Sequence, residues 1–147
     1  MQLTQKEYAA MVKKASPPST LLTDCLWAFG VGGGICTLGE LLNTLYRHAG
    51  LLLTDAGTLT SCTLVALSAV FTALGWYQKL AAKAGAGTLV PITGFANAVV
   101  SPAIEFKTEG WVAGTGAKMF LIAGPVIVYG MAASVLWGVL WYFLRVL

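Results

Sequence analysis

Three stretches of this sequence, at about residues 25–46, 58–77 and 119–144, are apolar for twenty residues or more and hold one charged residue, Glu40, between them. A helix rises about 1.5 Å per residue and the hydrocarbon core of a bilayer is about 30 Å thick, so each run is long enough to cross it. Charged residues make up 10% of the chain, whereas a soluble domain carries about 25%. So little charge cannot cover a soluble surface. These runs imply an all-α fold, a polytopic helical membrane protein with about four membrane segments, one of them broken or re-entrant, preceded by a short N-terminal amphipathic helix. The 147 residues leave no space for a large soluble domain.

The organisation expected is an interfacial segment over residues 1–24 and a transmembrane domain over 25–147. Residues 4–15 read as the amphipathic helix. Thr4 and Glu7 match a capping box, Tyr8, Met11, Val12 and Ala15 share a face, and Pro17-Pro18 stops the helix. Lys6, Lys13 and Lys14 suit anionic lipid. These residues lack the apolar core and small-residue cleavage site of a secretory signal, so the first span is expected to act as its own insertion signal. Trp76 and Tyr77 near the second span's end, and Trp137, Trp141 and Tyr142 near the last one's, read as interfacial aromatic belts.

Residues 85–105 are apolar enough to enter the membrane but rich in helix breakers: Gly85, Gly87, Pro91, Gly94 and Pro102. Backbone groups freed by such residues are tolerated at membrane depth only against protein or around a wet cavity. The segment is a broken span or a re-entrant pair of half-helices, and the broken span is preferred. Pro125 marks a further break in the last span. With four passes, the N-terminus, Lys79, Lys83 and Arg145 share one side, which the positive-inside rule places in the cytoplasm. A re-entrant segment would put the C-terminus outside.

Five residues stand out as a solute path. Glu40 is a carboxylate within a span, costly there and functional by default. Asn97 and Ser101, four apart, share a helix face that Glu105 extends. Ser101 before Pro102 suits the start of a new helix, whose free N–H groups attract anions. Lys118 enters the last span from the same side. The bland alternative is a loop whose polar groups satisfy one another.

Gly30 with Gly34, and Gly130 with Ser134 and Gly138, are spaced for close helix packing in lipid, within the chain or between chains. Gly30–Gly34 lies inside an apolar span with no preceding strand and no lysine, and in Gly114–Lys118 the first glycine and the following Ser/Thr are misplaced, so neither is a phosphate loop. The lone His48 sits at a span end, and no catalytic triad, metal cluster or carboxylate pair can be assembled. Cys25, Cys36 and Cys62 read as small packing residues. No cofactor and no nucleic-acid partner is expected.

The run Gly-Ala-Gly-Thr-Leu-Val-Pro-Ile-Thr-Gly-Phe-Ala-Asn-Ala-Val-Val-Ser-Pro-Ala-Ile-Glu-Phe-Lys-Thr-Glu-Gly, residues 85–110, resembles the stage V sporulation AC (SpoVAC) family. The likeness extends through Gly116–Phe120, Ile122–Val126 and Tyr129-Gly130, and to Ala28-Phe29 and Gly32–Cys36 in the first span. A related AE type shares the central motif but generally lacks an N-terminal extension, so residues 1–24 favour the AC type. The chain departs from the family at Glu40, where a neutral polar residue such as glutamine is expected. The resemblance implies a multi-pass subunit of the inner membrane of the bacterial forespore and spore. It implies movement of dipicolinic acid, as its calcium chelate, during sporulation and germination, in an oligomeric stage V sporulation protein A complex with other membrane subunits and a soluble dipicolinate-binding subunit. Two functions follow: a channel or transport subunit, with tension-dependent sliding of its glycine faces as a gate, or a non-conducting structural adaptor.

Overall fold

The computed structural model describes residues 20–146 together with Gln5, Tyr8, Met11 and Val12. The capping box Thr4/Glu7, the lysines Lys6, Lys13 and Lys14, Ala15 and Pro17-Pro18 lie outside the described residues. Tyr8, Met11 and Val12 are helical and exposed.

The described residues are helical without strand. Helix α1, Leu21–His48, has Asp24 in its first turn and Arg47 and His48 in its last, each complementing the helix dipole. Helix α2, Leu53–Ala73, returns antiparallel to α1, with the Tyr46 hydroxyl 2.9 Å from that of Thr63. It stops four residues short of Tyr77 because Gly75 takes a φ of +70°, which glycine adopts without steric cost. Trp76 and Tyr77 therefore open a new helix, α3 (Trp76–Ala84). A short turn, α4 (Ala86–Leu89), and α5 (Ile92–Glu105) follow. A 3-10 turn at Lys107–Glu109 and a π-turn at Trp111–Gly116 lead into α6, Ala117–Val146. Among the described residues three helices are long and apolar enough to cross a membrane: Leu21–His48, Leu53–Ala73 and Trp111–Arg145.

The course of α5 decides the topology. Ser68 bonds Thr93 and Thr72 bonds Asn97, a separation of 25 residues in both pairs, so α5 runs parallel to α2. Its start lies level with Ser68, short of the end of α2, and its last turns reach Thr72 and Gln78. Segment 76–105 thus begins and finishes at the end of the bundle where α1 begins. It doubles back on itself, the course of the re-entrant alternative that the sequence leaves open beside the preferred broken span. The reason is steric and local: Pro91, without an N–H, breaks the helix midway, and a 14-residue α5 is about 21 Å long, too short to cross. Lys118 lies against Phe106, and Leu121 and Ile122 reach Leu89 and Gly94. So α6 is antiparallel to α5 and ends opposite the start of α1.

The interior is inverted relative to a soluble protein. Buried side chains are mostly small or hydroxylic: Ala56, Thr60, Ser68, Thr72, Thr88, Thr93 and Ala96. Those of α2 fall at every fourth residue, Ala56, Thr60, Leu64, Ser68 and Thr72, forming one stripe. Large apolar side chains face outward, as the lipid around spanning helices requires. From Pro125 to Arg145 every residue of α6 is exposed. Cys25, Cys36 and Cys62 are exposed free thiols rather than packing residues.

Candidate functional site

Breaking the helix at Val90-Pro91 frees carbonyls ahead of the proline, and α3 supplies a donor to hold one of them, while α2 adds a bond to a carbonyl in the first turn of α5. The Tyr77 hydroxyl donates to the Thr88 carbonyl at 2.7 Å and lies 3.2 Å from the Thr93 hydroxyl. The Ser68 hydroxyl donates to the Thr93 carbonyl at 2.6 Å. The Thr72 hydroxyl has the Ser68 carbonyl at 2.7 Å and Asn97 Oδ1 at 2.9 Å within reach of its single proton. Tyr77 is 5% exposed, so it faces inward rather than joining an interfacial belt; Trp76 beside it is exposed. Backbones also meet closely here. A Cβ on Gly87 would overlap the backbone of Ala28, one on Gly94 would overlap the carbonyls of Thr88 and Leu89, and Gly32 approaches Gly87.

On the other side of α5 lies a cleft of about 350 Å³ shared with α6. Asn97, Ser101, Glu105 and Lys118 line it together, with Leu89 and Leu121 among its apolar walls. The spacing of 97, 101 and 105 puts them on one face because α5 continues unbroken through Pro102. That corrects the expected new helix at Ser101: the helix starts after Pro91, and Pro102 sits inside it. An interior proline still removes one donor. Pro102 deprives the Ala98 carbonyl of its helical partner, and Pro125, inside α6, does the same to Leu121. Both deprived residues line the cleft. Lys118 Nζ stands 4.7 Å from the Phe106 ring centre, a cation–π contact that holds the ammonium at the mouth. Glu105 is exposed, and with Ser101 it also borders a smaller cavity beside Thr72 and Gln78. One ammonium, one carboxylate, an amide and a hydroxyl over apolar walls can bind a small polar solute at both its anionic and its cationic parts.

Glu40 does not belong to this cleft. It is exposed on α1, in a stripe with Gly33 and Thr37 that lines none of the cavities described, while Thr44 and Arg47 further along border the loop to α2. A Cβ at Gly30 or Gly34 meets nothing within 4 Å, nor does one at Gly130 or Gly138. The Ser134 hydroxyl bonds its own helix at the Gly130 carbonyl. Among the described residues these small faces touch no other helix; the close approach in α1 is at Ala28 and Gly32. Sequence reasoning missed Ser68, Thr72, Tyr77, Thr88 and Thr93. The signal was present in α2, whose small and hydroxyl residues recur every fourth position.

A family model described as SpoVAC/SpoVAEB sporulation membrane protein matches residues 24–140. The chain belongs to the SpoVAC/SpoVAEB family. Over 137 residues it is 40% identical to stage V sporulation protein AC of Bacillus subtilis (strain 168), covering 92% of this chain and 91% of that one. No solved structure matches it. In this SpoVAC/SpoVAEB chain the family match takes in the re-entrant segment, the cleft and most of α6. The family supports a role in sporulation for this multi-pass membrane protein.

Proposed function

We propose that the chain is a membrane subunit of the spore inner-membrane complex that moves dipicolinic acid as its calcium chelate, and that the α5–α6 cleft is part of the solute path. The observation that carries this reading is the convergence of Asn97, Ser101, Glu105 and Lys118 on one cleft of a re-entrant segment. Calcium dipicolinate presents carboxylates beside a cation. Lys118 suits the first, Glu105 suits the second, and Asn97 and Ser101 hydrogen-bond to either. The resemblance to the SpoVAC family supplies the solute. No nucleotide-binding motif is visible, so flux is passive or driven by a partner. The other membrane subunits and the soluble dipicolinate-binding subunit are proposed partners.

The test is dipicolinate uptake and release in spores carrying Asn97→Leu or Lys118→Ala, with membrane insertion verified. We expect at least about a tenfold loss in one step, the effect of removing one charge-assisted contact of about 1.4 kcal/mol or more. Normal loading and release in both variants would exclude the cleft as the path.

A second reading has its own support. The exposed length of α6 from Pro125 to Arg145 includes Gly130, Ser134 and Gly138, a surface suited to docking a neighbouring span. A subunit that docks there without conducting is an adaptor. Liposomes containing this chain alone, its membrane partner alone, or both separate the two: flux that follows the partner alone favours the adaptor.

A further inference from the structure

A second cavity, of about 330 Å³, lies between α1, α2 and α3 on the opposite side of the Tyr77 cluster from the cleft. Its walls are Ile35, Leu64, Leu67, Phe71, Trp76 and Leu80, with Ser68, Tyr77 and Thr93 at its base. Those three polar side chains already bond the carbonyls of Thr88 and Thr93 or each other, which leaves no hydroxyl proton free for a polar ligand. Leu67, Phe71, Trp76 and Leu80 are exposed, so the cavity opens on the outer surface of the bundle. At this depth that surface meets hydrocarbon. Helix α3, one wall of the cavity, also carries Lys79 and Lys83 and no acidic residue of its own, and Asp24 at the start of α1 borders a pocket with Lys83. Lys83 Nζ stands 5.8 Å from the Trp27 ring centre, at the end where α1 begins. Apolar walls on a helix that carries Lys83 about one turn beyond Leu80 match a phospholipid, chain inward and phosphate outward.

We propose that this cavity holds one acyl chain of an anionic membrane phospholipid, with its headgroup on Lys79 and Lys83, and that the chain braces Tyr77 against the re-entrant segment. The ring of Tyr77 forms part of the cavity wall while its hydroxyl holds Thr88. Emptying the cavity, as a thinned or stretched bilayer does, removes the packing behind that bond. The bracing role rests on the solute-path reading; lipid binding does not.

The test uses the full chain with Trp76 as the single tryptophan, the other four replaced by phenylalanine, in bilayers containing phosphatidylglycerol brominated in its acyl chains. A second protein keeps only Trp137, exposed on α6, to report ordinary lipid contact. We expect Trp76 to reach half-quenching at about half the brominated fraction that Trp137 needs, or less, as a preferential site requires. Filling the cavity by Leu67→Phe, or independently by Ile35→Phe, abolishes the excess. Lys79→Gln with Lys83→Gln abolishes the preference for phosphatidylglycerol over phosphatidylcholine. Quenching of Trp76 that tracks Trp137 at every fraction and ignores both filling variants overturns the proposal. So does quenching by aqueous iodide in place of bromolipid, which marks a wet cavity. Excess quenching in a chain that moves no dipicolinate keeps the lipid site and rejects the solute path.

Discussion

The Tyr77 hydroxyl lies 2.7 Å from the Thr88 carbonyl, eleven residues ahead of it and on the other side of a glycine turn. This bond fastens the entering limb of the re-entrant segment to the helix that precedes it. Tyr77→Phe keeps the ring and removes the donor, leaving a buried carbonyl unpaired. The expected loss is about 1–3 kcal/mol, read as a lower midpoint of thermal unfolding in detergent. An unchanged midpoint would mean that the carbonyl finds another donor.

The glycines separate into two groups. Gly87→Ala places a methyl group into the backbone of Ala28 and is expected to destabilise the chain by about 1–3 kcal/mol or more, since backbone cannot yield as a side chain does. Gly30→Ala and Gly34→Ala meet open space. They are expected to leave the isolated chain as stable or slightly more so, because alanine favours helix. Thermal midpoints of the three variants, side by side, test the assignment of the close approach to Gly87.

A re-entrant segment fixes the relation of the termini. Lys79, Lys83, Lys107 and Lys118 lie at the end where α1 begins and Arg47 and Arg145 at the other; counting Lys6, Lys13 and Lys14 by sequence with the start of α1, which they precede, divides the nine basic residues seven against two. The four-pass arrangement divides the same nine as six against three. The stronger asymmetry predicts a cytoplasmic N-terminus and a C-terminus across the membrane. Protease or thiol-reagent access to a tag at each end checks this, and two tags reached from one side would contradict it.

Glu40 stands about 12 Å inside the end of α1 and is exposed among the described residues. Glu40→Leu is therefore expected to change the isolated protein's stability in detergent by less than about 0.5 kcal/mol. In the membrane a bare carboxylate at that depth is costly, so in the proposed complex protein or water is expected to cover it. The variant should lower recovery of that complex by affinity capture, and full recovery would show that lipid tolerates the site.

Much of this fold was legible because a spanning helix announces itself by length and apolarity alone. Residues 97, 101, 105 and 118 were legible too, since helical spacing and rare polarity in an apolar segment need no tertiary information. The direction of the returning limb was not. A 21-residue stretch containing Pro91 reads equally as a broken span, and only the Ser68–Thr93 and Thr72–Asn97 register shows that it turns back. Tyr77 misled for a related reason. An aromatic residue at the end of an apolar run looks like an interfacial anchor until Gly75 redirects the chain and points it inward.

The unaccompanied part of α6 has a mechanical consequence. Its base is held by α5 and by the turns from Lys107 to Gly116, while the twenty-one residues beyond Ile122–Gly124 are exposed along their whole length among the described residues. A rod clamped at one end is a lever. Whatever grips its free length, a neighbouring span or the lateral pressure of the lipids, acts at a long arm about a fulcrum beside Lys118. A small sideways displacement at Trp137 is therefore expected to reach one wall of the cleft, which α6 forms through Lys118, Leu121 and Ile122.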